Sequence, residues 1–598
     1  MKQTIFCVLM FIFLYSSVLA TNFYVSPRVS SGGSGTIIDP WNLQTALNHP
    51  LVGAGDTIWL AGGRYIGVFT STVSGRAGEP VVIRSLDYQE AILDGNVDKS
   101  SIAVLSIEGQ YSWFWGLTIT NSDKTGDNYF KDGVYFVGEN SKLINSRIYN
   151  NGGNGVGFWQ PALNSEIYGC IIYHNGYRGD TRGHGHGIYS QNTIGSKLIR
   201  DNILFNSFGI GIHIYAQNGG VQGFELEGNT IFNSGIPGAD YIDRNILIGG
   251  FQQADRIFIK DNHFYNRPDF YSKASVQLGY AVANRDAEFY RNIIVDGSLY
   301  MVGGWDNLKI SENTFFSGSN DFQLLAFDDY GNIGMSSFDR NNYYKGSLNE
   351  MTFEQWKSFS GQDINSEYFD AEPVESSYYL LPNIYQAGRT TVVVYNWAGN
   401  SEISVDLSTI LKIGNNYQIW DVLNYEGGPV ADGVYQGNDV YLPLDLSEIE
   451  IPIREDSNRD ALLHTLPFFG VFIISSKDVF SHEDSAVIEK DAKPLEIQRC
   501  YPNPVNDILV SDFYSSCSTE LIANVYDAIG RLVYKKSVQA DKGDNAMELN
   551  LSSLLAGVYI VALTNGVVTD RCKIIKHSFA SNEFESEFII NKSYTSTK

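Results

Sequence analysis

The sequence predicts an all-β protein: a β-solenoid of stacked rungs followed by two smaller β domains. Three observations predict it. The chain holds 58 glycines in 598 residues, with abundant Tyr and Phe and modest charge, which suits many short strands joined by tight turns. An internal repeat runs through the first half, clearest at 197–206 (KLIRDNILFN), 224–233 (FELEGNTIFN) and 257–266 (IFIKDNHFYN). Its period of roughly 20–35 residues is that of a solenoid rung and not of a helical repeat. A second strand in each rung opens on glycine, as at 132–135, 154–159, 186–189 and 211–215. One rung cannot bury its apolar face alone, and stacking achieves that.

The elements follow in order. Residues 1–20 read as a secretory signal, with Lys2, an apolar run from Ile5 to Tyr15 and a small-residue end at Val18-Leu19-Ala20. No other apolar run is long enough to span a bilayer. A short helix is expected to start at Asp39-Pro40-Trp41, with Asp39 as N-cap, and to cover the open end of the stack. The repeat becomes visible from about residue 101, with weaker copies through Arg147, Cys170, Asn292 and Asn313. Asparagine recurs at one turn, which predicts ladders of side-chain amides that each donate and accept. Thr352 and Gln355 form a capping box that opens a closing helix.

Beyond the repeat, residues 371–476 alternate as short strands and predict a β-sandwich, read as a glycan-binding or spacer module or as a domain packed on the end of the solenoid. A polar linker spans 477–493, a last β domain 494–576, and a polar tail 577–598. Of the cysteines left after signal removal, Cys170 falls in a rung and is expected to be buried, while Cys500 and Cys517 are candidates for one bridge.

The glycine-led strands give the solenoid half the look of the right-handed parallel β-helix (pectin-lyase-like) family, which it resembles over roughly residues 22–370. That resemblance implies the fold class and leaves the activity open, since the fold carries lyases, hydrolases, epimerases and pure binders. The last domain, with Tyr501-Pro502-Asn503-Pro504, Val525-Tyr526-Asp527-Ala528-Ile529-Gly530-Arg531, Ala556-Gly557-Val558-Tyr559 and Lys573-Ile574-Ile575-Lys576, resembles the C-terminal sorting domain of the type IX secretion system of Bacteroidetes. It implies passage through that machinery to the cell surface or the medium. The tail after Lys576 departs from the pattern, which usually ends the chain.

The net charge of −25, from 42 basic and 67 acidic residues, disfavours nucleic acid and anionic membranes as partners. Charge is nearly balanced between Asp123 and Glu312, which leaves room for a local cationic groove. With Val134, Val156, Ile188 and Ile212 inward, alternation places Tyr135, Trp159, Tyr189, Gln191, His213 and Tyr215 on one outer face. Arg182 and Lys131 lie close enough in sequence to meet a sugar carboxylate.

This inventory matches β-elimination on a uronic-acid glycan, which needs a neutraliser for the carboxylate, a base for the C5 proton and an acid for the leaving oxygen. His213 is expected as base, Tyr189 or Tyr215 as acid, or as base if activated, Arg182 as neutraliser and His186 as a further catalytic group. Trp159, Gln191, Tyr135 and Lys131 are expected to bind substrate. Asp123, Asp127 and Asp132 form an oxygen-rich cluster that points to calcium. A glycoside hydrolase built on Asp132, Asp180 or Asp243, a C5-epimerase and a non-catalytic surface glycan binder are the alternatives.

Overall fold

The computed structural model describes residues 20–576 apart from 30–31, 87–88, 98–100, 125–130, 242, 270–273, 329–334, 477–494, 504, 516–517, 528–530 and 565–568. The signal segment up to residue 19, the linker, the tail, Asp127 and Cys517 therefore lie outside the described residues. The chain divides into two compact units, 1–486 and 487–598.

The first unit is a parallel β-helix with a β-sandwich on its flank. Three parallel sheets wrap one core. The first has 12 strands from Asn22–Val25 to Ser336–Asp339, the second 11 from Phe69–Ser71 to Ser347–Leu348, and the third 12 from Gly63–Ile66 to Glu367–Phe369. The first sheet starts at Asn22, so rungs begin well before residue 101, where the sequence repeat becomes visible. A continuous apolar core runs from Phe23 to Trp356. It is the repeat's alternation made solid, since Val134, Val156, Ile188 and Ile212 all point inward and are fully buried.

One corner of the stack carries the asparagine ladder the repeat predicts. Asn202, Asn229, Asn262, Asn292, Asn313 and Asn341 are buried, and each amide Nδ2 donates to the next Oδ1 at 2.9–3.1 Å. Each Oδ1 also accepts the main-chain N–H of the preceding ladder residue. The residues just before, Asp201, Gly228, Asp261, Arg291, Glu312 and Arg340, all take positive φ between 52° and 66°. Each corner thus bends through one left-handed residue, at a cost of roughly 1–2 kcal/mol where that residue is not glycine, and the buried amide beside it satisfies the polar groups the bend exposes. The ladder ends where Asn341 donates to Asp363, which also accepts from Trp356 Nε1 of the capping helix Phe353–Ser360. That helix has the Thr352–Gln355 capping box.

At the other end the helix is Leu43–Ala46, and its N-cap is Asn42, whose Oδ1 accepts from Thr45 at 2.9 Å. Asp39 is not the cap, because its oxygens close the preceding loop through Ser34 and Gly35.

The sandwich does not sit on the end of the β-helix. Its five-stranded sheet, containing Arg389–Tyr395 and Phe469–Ser476, packs along the flank of the third sheet. There Tyr173, Phe205, Phe232 and Tyr265 share a core with Tyr395 and Phe469. The outward residues of that sheet are aromatic, so they need a cover that the end of the stack does not. Polar pairs such as Tyr173 with Glu450 and Asn145 with Asn383 line the same interface.

The second unit holds a three-stranded and a four-stranded antiparallel sheet around one core. Cys500 is bonded to Cys572, not to Cys517. Cys500 and Cys572 stand on strands 72 residues apart, so proximity along the chain was a poor guide to pairing. Cys170 is buried as expected.

The ladder yields a stability prediction. Asn262→Ala strands two buried donors of Asn229 and is expected to cost about 2–3 kcal/mol. Lys309→Ala removes only an exposed pair with Glu288, worth about 0–1 kcal/mol. Denaturant unfolding followed by far-UV circular dichroism should show a lowered midpoint for the first variant and an unchanged one for the second.

Candidate active site

The second sheet displays the candidate site on its outer face. Its strands open on Gly133, Gly155, Gly187 and Gly211 because a Cβ there would lie 2.5–2.7 Å from the carbonyl oxygen of the next rung. This close approach brings successive rungs into strict register. Tyr135 pairs with Gly157, Gly157 with Tyr189, Tyr189 with His213, and His213 with Leu247. The outer face expected from alternation is the one observed.

The rings form a connected series. Tyr135 and Trp159 have centroids 6.3 Å apart, Trp159 and Tyr189 5.2 Å, Tyr189 and His213 5.1 Å, and His213 and Tyr215 5.1 Å. Tyr215 continues to Tyr280 at 5.4 Å. Tyr189 Oη and Gln191 Nε2 both donate to the Tyr215 main-chain oxygen, at 3.2 and 3.1 Å.

At the centre His213 Nδ1 lies 3.1 Å from His186 Nε2. The Ile210 N–H donates to His186 Nδ1 at 3.0 Å. Burial lowers the pKa of both rings, to about 4 for His186 and well below the ordinary imidazole value for His213, where His186, Arg182 and Arg244 push in the same direction. Both imidazoles are therefore neutral at neutral pH. Burial raises the Tyr189 phenol and holds it protonated.

Arg182 is exposed on a loop between the two-residue strands Tyr177–Arg178 and Gly183–His184. Its charge reaches both imidazoles. His184 stacks on Tyr177 at 4.9 Å in the same hairpin, apart from the imidazole pair.

Lys131 differs from its expected place. It is only 2% exposed and is not displayed to the groove. Asp132 is buried too, its Oδ1 accepting from Asn154 N and Nδ2, and burial raises its carboxyl to about 6. The Asp123 main-chain oxygen accepts from the Arg454 guanidinium. Asp127 lies outside the described residues, among which no three His, Cys, Asp or Glu gather as metal ligands.

Two contributors escaped the sequence reading. Arg244 donates to Gln277 Oε1 at 2.6 Å and to Asp243 Oδ1 at 3.0 Å, and its charge bears on His213. It stands one residue before the strand position of Gly211, which the next rung fills with Asn245, so the glycine signal stops there. Lys197, a repeat residue, is fully buried and donates from Nζ to the carbonyls of Phe158 and Trp159, which fixes the Trp159 turn.

Residues 23–243 match the family described as the Pel9A-like, right-handed β-helix region, and residues 499–577 match the secretion system C-terminal sorting domain. The second match implies type IX secretion, to the cell surface or beyond it. Pectate lyase PEL9 of Emericella nidulans is 32% identical over 124 residues, 18% of this chain and 30% of that protein. The chain thus spans under a third of the curated relative it matches. Among solved structures, an alginate lyase from Paenibacillus sp. str. FPU-7 is 21% identical with 49% and 94% of the two chains covered and a TM-score of 0.35. Pectate lyase Pel9A is 16% identical with 59% and 78% covered and a TM-score of 0.30. The fold here rests on the three sheets themselves. The β-helix region is similar to that of enzymes acting on polysaccharides, and all of the ring series up to Tyr215 falls inside the matched span.

The lowered imidazoles predict the pH dependence of stability. His174, His186 and His263, lowered to about 3, 4 and 4, stay neutral in the folded chain while the unfolded chain binds protons below about 6.5. Stability is complete above that value and should fall as pH drops from 6.5 toward 4. His263→Gln should flatten this fall in denaturant midpoints measured across that window.

Proposed function

We propose that the chain is a secreted polysaccharide lyase that cleaves a uronic-acid-containing glycan by β-elimination. The observation that carries this reading is the His186–His213 pair, 3.1 Å apart, flanked by two phenols and standing in the field of Arg182 and Arg244. A positive field with uncharged hydrogen-bonding groups suits a sugar carboxylate whose charge grows as the C5 proton leaves. The Pel9A-like match over 23–243 and the relation to a pectate lyase support the same reaction class.

In the proposed step Tyr215 acts as the base: it first gives its own hydroxyl proton to solvent, then the C5–H bond breaks and that proton passes to Tyr215 Oη. The electron pair forms the C4–C5 double bond as the C4–O bond breaks. The leaving oxygen takes the proton of Tyr189, which burial keeps on the phenol. Trp159 and Tyr135 offer ring faces to the neighbouring sugars.

A hydrolase is the second reading, favoured by one observation. Burial raises the Asp132 carboxyl to about 6, the direction expected of a general acid. Product chemistry separates the readings. Incubating the mature protein, with and without calcium, with a panel of acidic polysaccharides should raise the ultraviolet absorbance of an unsaturated uronate on one substrate. Tyr189→Phe should lower kcat by about 10²–10⁴-fold. Saturated fragments, inversion at C5 without cleavage, or binding without reaction would each replace the lyase with the corresponding alternative.

A further inference from the structure

We infer that His186 is a positioning residue that fixes His213 in the tautomer carrying its proton on Nε2, so that the substrate meets an imidazole N–H donor and not a base. One chain of hydrogen bonds fixes where each proton sits. The Ile210 main-chain N–H donates to His186 Nδ1. A nitrogen that accepts carries a lone pair, and a neutral imidazole has a single ring proton. That proton is therefore on His186 Nε2. Nε2 lies 3.1 Å from His213 Nδ1, so it donates there, and His213 Nδ1 is in turn the acceptor. The one proton of His213 is left on Nε2.

A main-chain amide cannot change its role, and this gives the relay its direction. The opposite arrangement would set His186 Nδ1–H against the Ile210 N–H and leave that donor without an acceptor. Turning the His186 ring over would put carbon atoms at both contacts and lose both bonds. Gly209 makes room for the approach, since a Cβ there would lie 3.1 Å from His186 Nδ1. Both rings are neutral under the combined effect of burial and the surrounding cations, so each carries a single ring proton. The titratable and charged neighbours are His184, Asp243, Arg182, Arg244, Tyr189 and Tyr215.

The sequence casts His213 as the base, and the direction of these bonds gives it the opposite role. A neutral N–H donor in the field of Arg182 and Arg244 is matched to a carboxylate that gains charge, as a lone pair at the same place is not. This catalytic consequence rests on the lyase reading, whereas the tautomer does not.

The two are therefore tested separately. The full mature chain is labelled with ¹⁵N-histidine, and the ring nitrogens of His186 and His213 are assigned by comparison with His186→Gln and His213→Gln. The expected result at neutral pH is protonated Nε2 and bare Nδ1 in both rings. A proton on His213 Nδ1, or a charged ring, overturns the inference whether or not the protein is a lyase. In the activity arm, His186→Gln keeps an N–H donor toward His213 and should hold kcat within about tenfold. His186→Glu offers only an acceptor, draws the His213 proton to Nδ1 and bares Nε2, so kcat should fall by about 10²-fold or more with a smaller change in KM. A His186→Glu variant as active as the wild type would overturn the donor role. A wild type that forms no unsaturated product fails the lyase reading and leaves the ring-nitrogen result to decide the tautomer.

Discussion

The buried asparagine ladder is the constraint on which the rest of the structure depends. A parallel stack tolerates no slip of one residue, since that would turn every side chain to the other face. The bonds from Asn202 through Asn341 to Asp363 fix the rungs they join against one another at a corner where the backbone takes a left-handed bend. The glycine column of the second sheet completes the constraint by admitting only close rungs. Given that register, Tyr189 and His213 must be neighbours, and the groove is a consequence of the stack.

The site obtains its chemistry from partial burial. Imidazoles in water are half protonated near pH 6.5, whereas here burial holds both neutral, helped by Arg182 at both rings and by Arg244 at His213. Asp243 is the fixed anion of this region: it pairs with Arg244 and opposes the lowering of His186. Tyr189 is kept protonated by the same burial. A groove of this kind attracts a negative sugar while its two imidazoles and Tyr189 stay uncharged.

The sequence carried the fold well and the site unevenly. Inward Val156 and Ile188, with outward Tyr189 and His213, follow from a period of two and a glycine that opens each strand. Arg244 was hidden because Asn245 replaces that glycine, and the Asp39 cap was misplaced because a loop competes for its oxygens. Lys131 looked available because sequence distance says nothing of burial. The bridge of Cys500 to Cys572 joins strands that only the folded sheets bring together. Nothing in a sequence pattern orders the two nitrogens of His186, whereas one main-chain N–H does so in the structure.

The most direct measurement is mass spectrometry of the oligosaccharides formed from an acidic polysaccharide in heavy-oxygen water. Elimination adds no water across the broken bond, so the account predicts unsaturated fragments that take up no label from the cleavage. Fragments that carry one heavy oxygen at each new reducing end would show hydrolysis and contradict it.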